Sequence, residues 1–242
     1  MKYEIYSYRF AQEILQHDKH IQCWNEIIDA IVKAPVFTFP GKSKNKKLDV
    51  VQQLQNAYFD RKLAVEYGWE FHPIATKIPN SLLRADFRKE FNGLHVQAEV
   101  QFGNMSRWYS DVFKFQAAYS ESLTQAAISV VPMLSLATRI DSNVANFERC
   151  KRELPSANLS ITLPILLVGI SIDDRTTVID VSKSKFRGIK VITSKGNLKN
   201  RWRVVNSYFE NKPIETISEK SPTGPTLEPS ADEEAEAESN GC

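Results

Sequence analysis

"RADFRKEFNGLHVQAEVQFGN" (residues 84–104) holds an Asn-Gly pair, with polar and apolar residues alternating on its far side. Asn-Gly flanked by such alternation is the strongest short-range hairpin signal, because both positions of the favoured tight turn need positive φ. With Asn92 and Gly93 at those positions, Phe91 faces Leu94, Glu90 faces His95, Arg88 faces Gln97 and Asp86 faces Glu99. Directly opposed side chains in such a ladder have Cβ atoms about 4.5–5.5 Å apart. Val96, Ala98, Val100 and Phe102, with Phe87 across from them, form the core face, and Asp86, Arg88, Gln97, Glu99 and Gln101 point the other way. Gln101 follows Glu99 on that second face at about 6.6 Å along the strand. The spacing therefore predicts two carboxylates side by side with an amide next to them.

Two like charges directly opposed destabilise a bare ribbon. A hard divalent cation held by oxygen ligands would offset this, and Mg²⁺ needs only one or two protein carboxylates, leaving room for a phosphate and a water. The other reading is a solvated strand face on which Arg88 neutralises the pair. Both stay open at this level.

The chain has 242 residues, 42% of them hydrophobic, enough for one domain with a sizeable core. Apolar runs such as "LPILLVGI" (163–170) are too short to span a bilayer, so no membrane association is expected. "MKYEIYSYRF" (1–10) lacks the apolar stretch of a signal peptide. Cys23, Cys150 and Cys242 lack metal-ligand or redox spacing, which favours a reducing, cytoplasmic setting. Of 29 Asp and Glu residues, six lie in "SPTGPTLEPSADEEAEAESNGC" (221–242), which has no Lys or Arg. The 31 Lys and Arg residues then leave the body at net +8. A tail over 216–242 of this composition cannot offset the entropy of ordering, which leaves residues 1–215 as a single domain. A basic body suits a polyanion partner, though charge alone discriminates weakly.

Helical periodicity predicts a short helix over 10–17, a clearer one over 20–33 (Ile21, Trp24, Ile27, Ile28, Ile31) and another over 48–67, with a basic loop between (Lys42, Lys44, Lys46, Lys47). "SRWYSDVFKFQAAY" (106–119) reads as a helix with Ser106 at its N-cap and Trp108, Val112, Phe115 and Tyr119 on one stripe. "AISVVPML" (127–134) and "SITLPILLVGISI" (160–172) read as buried strands, residues 143–153 as a helix, and 173–212 as further strands with basic turns. The order indicates an α/β (α+β) fold, a mixed central sheet flanked by helices.

"AEVQFGN" after an upstream "DF" resembles the BglII and BstYI group of type II restriction endonucleases, in which the D…E-x-K motif of the wider nuclease class becomes D…E-x-Q. Asp86, Glu99 and Gln101 match it. "YSYRFAQEILQHDKHIQCWNEIIDAIV", "AYFDRKLAVEYGW", "VFKFQAAY", "VVPM" and "LPILLVGI" resemble the group's other elements in order, over roughly residues 1–172. The resemblance implies a restriction-endonuclease-like core, a homodimer, and Mg²⁺-dependent hydrolysis of double-stranded DNA leaving 5′-phosphate ends, at a six-base palindrome with a GATC core. It implies Asp86, Glu99 and the Val100 carbonyl as metal ligands, and Asp86, Glu99 and Gln101 as catalytic residues. Base reading falls to Gly103 and Asn104, with the loop "TRIDSN" (138–143) second: Arg139, Asp141, Ser142 and Asn143. For Arg139 a phosphate contact or a solvent position is the alternative. His72 sits near where the group places a further polar residue, in an aromatic loop where a structural role is the alternative. The spacing from Asp86 to Glu99 is longer than the group's, and an insertion elsewhere than in the hairpin would make Glu90 the rival first carboxylate. His95 lies too far along the strand to join the site, and Ser106 and Cys150 have no partner base.

Three other functions compete: a non-restriction nuclease on the same core, a non-catalytic DNA-binding module, and an interaction protein with an acidic docking tail.

Overall fold

A computed structural model of the protein describes residues 1–185, 190–193 and 198–224. Asn92 and Gly93 both take positive φ, 50° and 87°, and close the hairpin between β4 (Phe87–Phe91) and β5 (Leu94–Val100). Their ladder runs Phe91–Leu94, Glu90–His95, Lys89–Val96, Arg88–Gln97 and Phe87–Ala98, the expected register.

This hairpin supplies two strands of a mixed six-stranded sheet. β5 pairs in parallel with β6 (Ala126–Pro132), and β6 in parallel with β7 (Ile165–Ser171). β1 (Lys2–Tyr8) closes one edge antiparallel to β7, and β3 (Glu70–Phe71) closes the other antiparallel to β4. The opening segment is therefore a strand before it is helical. Its alternating "KYEIYSY" leaves Lys2 and Glu4 outward, as a half-exposed edge strand tolerates, and the short helix follows at α1 (Ala11–Leu15). Parallel neighbours need crossovers. α4 (Met105–Ser120) carries the chain from β5 to β6, and α5 (Leu134–Ala137) and α6 (Phe147–Glu153) carry it from β6 to β7.

Helices bury both faces of the sheet. On one, Val96, Ala98, Val100, Ile128, Val130 and Val168 join Ile27 and Ile31 of α2 (Ile21–Val32) and Leu54 and Tyr58 of α3 (Gln52–Phe59). On the other, Ala127, Val131, Ile165 and Leu167 meet Trp108, Val112 and Phe115 of α4 and Phe147 of α6. α3 continues as a π-helical stretch, Asp60–Glu66.

Among the described residues, the strands expected across 173–212 reduce to one, β8 (Val178–Asp180), paired in parallel with β2 (Val36–Thr38) away from the main sheet. Lys190–Thr193 is a short helix, α7, and α8 spans Leu198–Phe209. Trp202, Val205 and Phe209 recur at helical spacing, and Trp202 and Val205 are fully buried, so an amphipathic pattern overrides the strand reading. Parts of the basic turns, and the acidic tail from 225 onward, lie outside the described residues.

Candidate active site

One step beyond Phe87–Ala98, the register sets Asp86 opposite Glu99. Asp86 Oδ2 accepts the Val100 N–H at 2.9 Å, tying the first carboxylate to the backbone next to the second. Glu90 sits near the turn instead, paired with His95 and accepting the Gly93 N–H at 2.8 Å.

The face that carries these groups is not solvated. α4 lies over it, and Gln97 and Glu99 are both 0% exposed. Glu99 Oε1 accepts from Gln97 Nε2 at 3.2 Å, and Oε2 accepts from Lys114 Nζ at 2.6 Å. Lys114 also meets Asp111 Oδ1 at 3.0 Å, and Asp111 Oδ2 accepts from Gln101 Nε2 at 2.7 Å. Gln101 Oε1 in turn accepts the Gly103 N–H at 2.7 Å. A Cβ at Gly103 would lie 2.5 Å from that oxygen, so only glycine permits the approach. Arg88, expected as the counterion on a solvated face, donates to the Ile74 carbonyl at 2.9 Å instead. Lys114, arriving from the helix above, is the neutralising cation.

Asp111 and Lys114 were not among the expected site residues. Their signal was present in "SRWYSDVFKFQAAY": Asp111 stands three residues after Trp108 and four before Phe115, inside the stripe that faces the sheet. A carboxylate there must be paired or raised in pKa.

Electrostatics follow from this crowding. Burial, then the neighbouring Asp86 charge, drives the Glu99 carboxyl well above the usual range, with Lys114 opposing and Asp111 adding. Asp111 is pushed up to about 6, chiefly by burial, against the pull of Lys114. Burial pushes the Lys114 ammonium down, but the charges of Glu99, Asp86 and Asp111 outweigh it and raise it.

Among the described residues, no group of three or more His, Cys, Asp or Glu side chains is arranged to hold an ion. The donor set here is two carboxylates, Asp86 and Glu99, with the Val100 carbonyl. Mg²⁺ asks for one or two carboxylates and hard oxygen throughout, so its requirements fit these residues.

His72 neighbours Asp86 through its backbone, donating its N–H to the Asp86 carbonyl at 3.0 Å, while its ring stacks on Phe71 at 3.7 Å. Asn104 caps α4, accepting from Arg107 N at 3.0 Å, and bridges to Val144. Arg139 is held by Asp49 through two bonds of 2.9 and 2.6 Å. Asp141, Ser142 and Asn143 are exposed, with Asp141 Oδ1 accepting from Ser142 Oγ and the Asn143 N–H. The Val50 N–H donates to the Arg139 carbonyl, and Lys42 reaches the Val50 and Ile140 carbonyls. The basic loop, with Lys44, Lys46 and Lys47 exposed, is thus joined to loop 138–143, and Val144 joins that loop to Asn104.

The model of the restriction endonuclease BglII/BglIII family matches residues 3–170. The chain belongs to this family. The structure is similar to "Crystal structure of restriction endonuclease BGLII complexed with DNA 16-mer", with a TM-score of 0.58, 21% identity, and coverage of 73% of this chain and 79% of that one. It is also similar to "Crystal structure of free BglII", with a TM-score of 0.52, 22% identity, and coverage of 73% and 82%. No curated protein sequence matches the chain. The region matched to the BglII/BglIII family ends before α8, which packs on α3: the Tyr58 and Phe209 rings stack at 5.4 Å, and Tyr208 Oη donates to the Lys33 carbonyl at 2.7 Å. No helix among the described residues is long and apolar enough to cross a membrane.

Proposed function

We propose that this family member is a type II restriction endonuclease, a hydrolase that cuts one phosphodiester in each strand of double-stranded DNA at a short palindromic site. The observation that carries the reading is Asp86 tied to the backbone beside Glu99 at the end of β5, with Gln101 linked to Glu99 through Asp111 and Lys114, inside a BglII/BglIII-family chain. Asp86, Glu99 and the Val100 carbonyl are the residues that would hold Mg²⁺. When bound, the ion lowers the pKa of water and counters charge growing on the phosphate. Glu99 accepts a hydrogen bond from the attacking water and aims it at phosphorus. The P–O3′ bond breaks, leaving a 3′-hydroxyl and a 5′-phosphate. Gln101, oriented by Asp111 and the Gly103 N–H, orients by hydrogen bonds alone, because an amide carries no charge.

Gly103, Asn104, Asp141, Ser142 and Asn143 are the residues proposed to read base edges, for a site with a GATC core. Arg139 joins them only by exchanging Asp49 for DNA. His72 is a further candidate beside Asp86. A palindrome calls for a two-fold partner, hence a homodimer. Buried thiols at Cys23 and Cys150 suit the cytoplasm, where the DNA substrate lies.

The test is a digest of unmethylated plasmid with Mg²⁺ and with EDTA, followed by sequencing of the ends. Discrete bands with Mg²⁺, none with EDTA, and 5′-phosphates support the reading. Random degradation points to another nuclease, and binding without cleavage to a DNA-binding module.

A further inference from the structure

Cleavage as proposed leaves one role unfilled. In the E-x-K form of the motif, the third residue brings a positive charge to the site, and here that position is the neutral Gln101. The cation comes from elsewhere in the fold. Lys114 Nζ lies 2.6 Å from Glu99 Oε2 and 3.0 Å from Asp111 Oδ1. Lys114 and Gln101 therefore hold opposite oxygens of one carboxylate, that of Asp111. The Lys114 side chain is 12% exposed, and those of Glu99 and Asp111 are 1% and 5%.

Stability alone is a poor reason for this arrangement. Pinning a long lysine costs rotamer entropy, and taking the charges out of water costs solvation that an ion pair often fails to recover. An apolar residue under α4 would fill the space without either cost. With all three carboxyls ionised, Asp86, Glu99, Asp111 and Lys114 carry two net negative charges, the complement of one divalent ion, and such an ion would offset the burial that drives Glu99 toward its neutral form.

We infer that Lys114 is a positioning residue of the active site: anchored by Asp111, it fixes the Glu99 carboxylate, supplies from α4 the charge that Gln101 lacks, and limits the site to one divalent cation. This rests on the nuclease reading above.

The experiment compares wild type, Lys114→Met and the double variant Gln101→Lys/Lys114→Met. Three measurements are made: bound Mn²⁺ by electron paramagnetic resonance without DNA, duplex affinity in Ca²⁺, and single-turnover cleavage in Mg²⁺. Wild type is expected to bind one Mn²⁺ per chain. Lys114→Met is expected to bind a second ion, or the first about tenfold more tightly, as one uncompensated charge requires. Its cleavage rate falls about 10²-fold while duplex affinity stays within about threefold. The double variant returns the charge to Asp111 and recovers at least about tenfold of the lost rate. A folded Lys114→Met that matches wild type in ion binding and rate overturns the inference. If Lys114→Met does not fold, the double variant decides: cleavage near the wild-type rate supports the inference, and a folded but inert protein overturns it. A wild-type protein inert with Mg²⁺ is a different failure, that of the nuclease reading itself.

Discussion

The two faces of β5 are equally buried and chemically opposite. Val96, Ala98 and Val100 meet the apolar side chains of α2 and α3, whereas Gln97 and Glu99 sit under α4 among Lys114 and Asp111. On the first face burial is its own reward, at roughly 25 cal/mol per Å² of apolar surface. On the second, every group removed from water needs a partner, and a buried carboxylate without one would neutralise instead.

The contrast can be broken from either side. The largest effect is expected from Asp86→Asn, which removes a charge from the proposed metal site but keeps an oxygen for the Val100 N–H. Cleavage should fall about 10³-fold, some 4 kcal/mol of barrier, with folding stability changed by less than about 0.5 kcal/mol. Steady digestion assays and a urea melt read the two quantities. On the opposite face, Ile128→Ala should reverse the pattern, costing about 2–5 kcal/mol of stability by the same melt. Its surviving folded fraction should still cut.

Asp111 sharpens the comparison through pH. Its carboxyl titrates near 6 in the folded protein, above an ordinary aspartate, so the stability it contributes is full in acid and lost as pH rises through 6. With chelator present, wild type measured against Asp111→Asn should therefore fare better at pH 5 than at pH 7.5, by about 1 kcal/mol. An equal or reversed difference would refute the burial argument. Gly93→Ala, which forces a Cβ into φ 87°, should cost a similar or smaller amount, about 1 kcal/mol, and leave the distant site intact. The smallest effect is at Gln101: with Lys114 in place, Gln101→Lys should bring no gain in cleavage rate.

Much of this was legible in the residues themselves. The hairpin register follows from Asn92-Gly93 because positive φ at two successive positions leaves few alternatives, and it carries Asp86 to Glu99 without reference to the rest of the molecule. β1 and α8 were not legible in the same way. An edge strand needs only half its residues apolar, and the basic residues around Trp202 masked its helical repeat. Arg139 showed a charge, while its engagement with Asp49, ninety residues away, depended on packing between loops.

The residues alone paired Asp86 with Glu99, because strand alternation and turn chemistry act over a few residues, and they left Glu90 as the rival until the observed ladder set it beside the turn. Whether that face meets water or a helix, and which cation answers it, depended on where α4 comes to rest. Lys114 and Arg88 are both positive and both near in sequence, and only the three-dimensional packing, through burial and distance, selects between them.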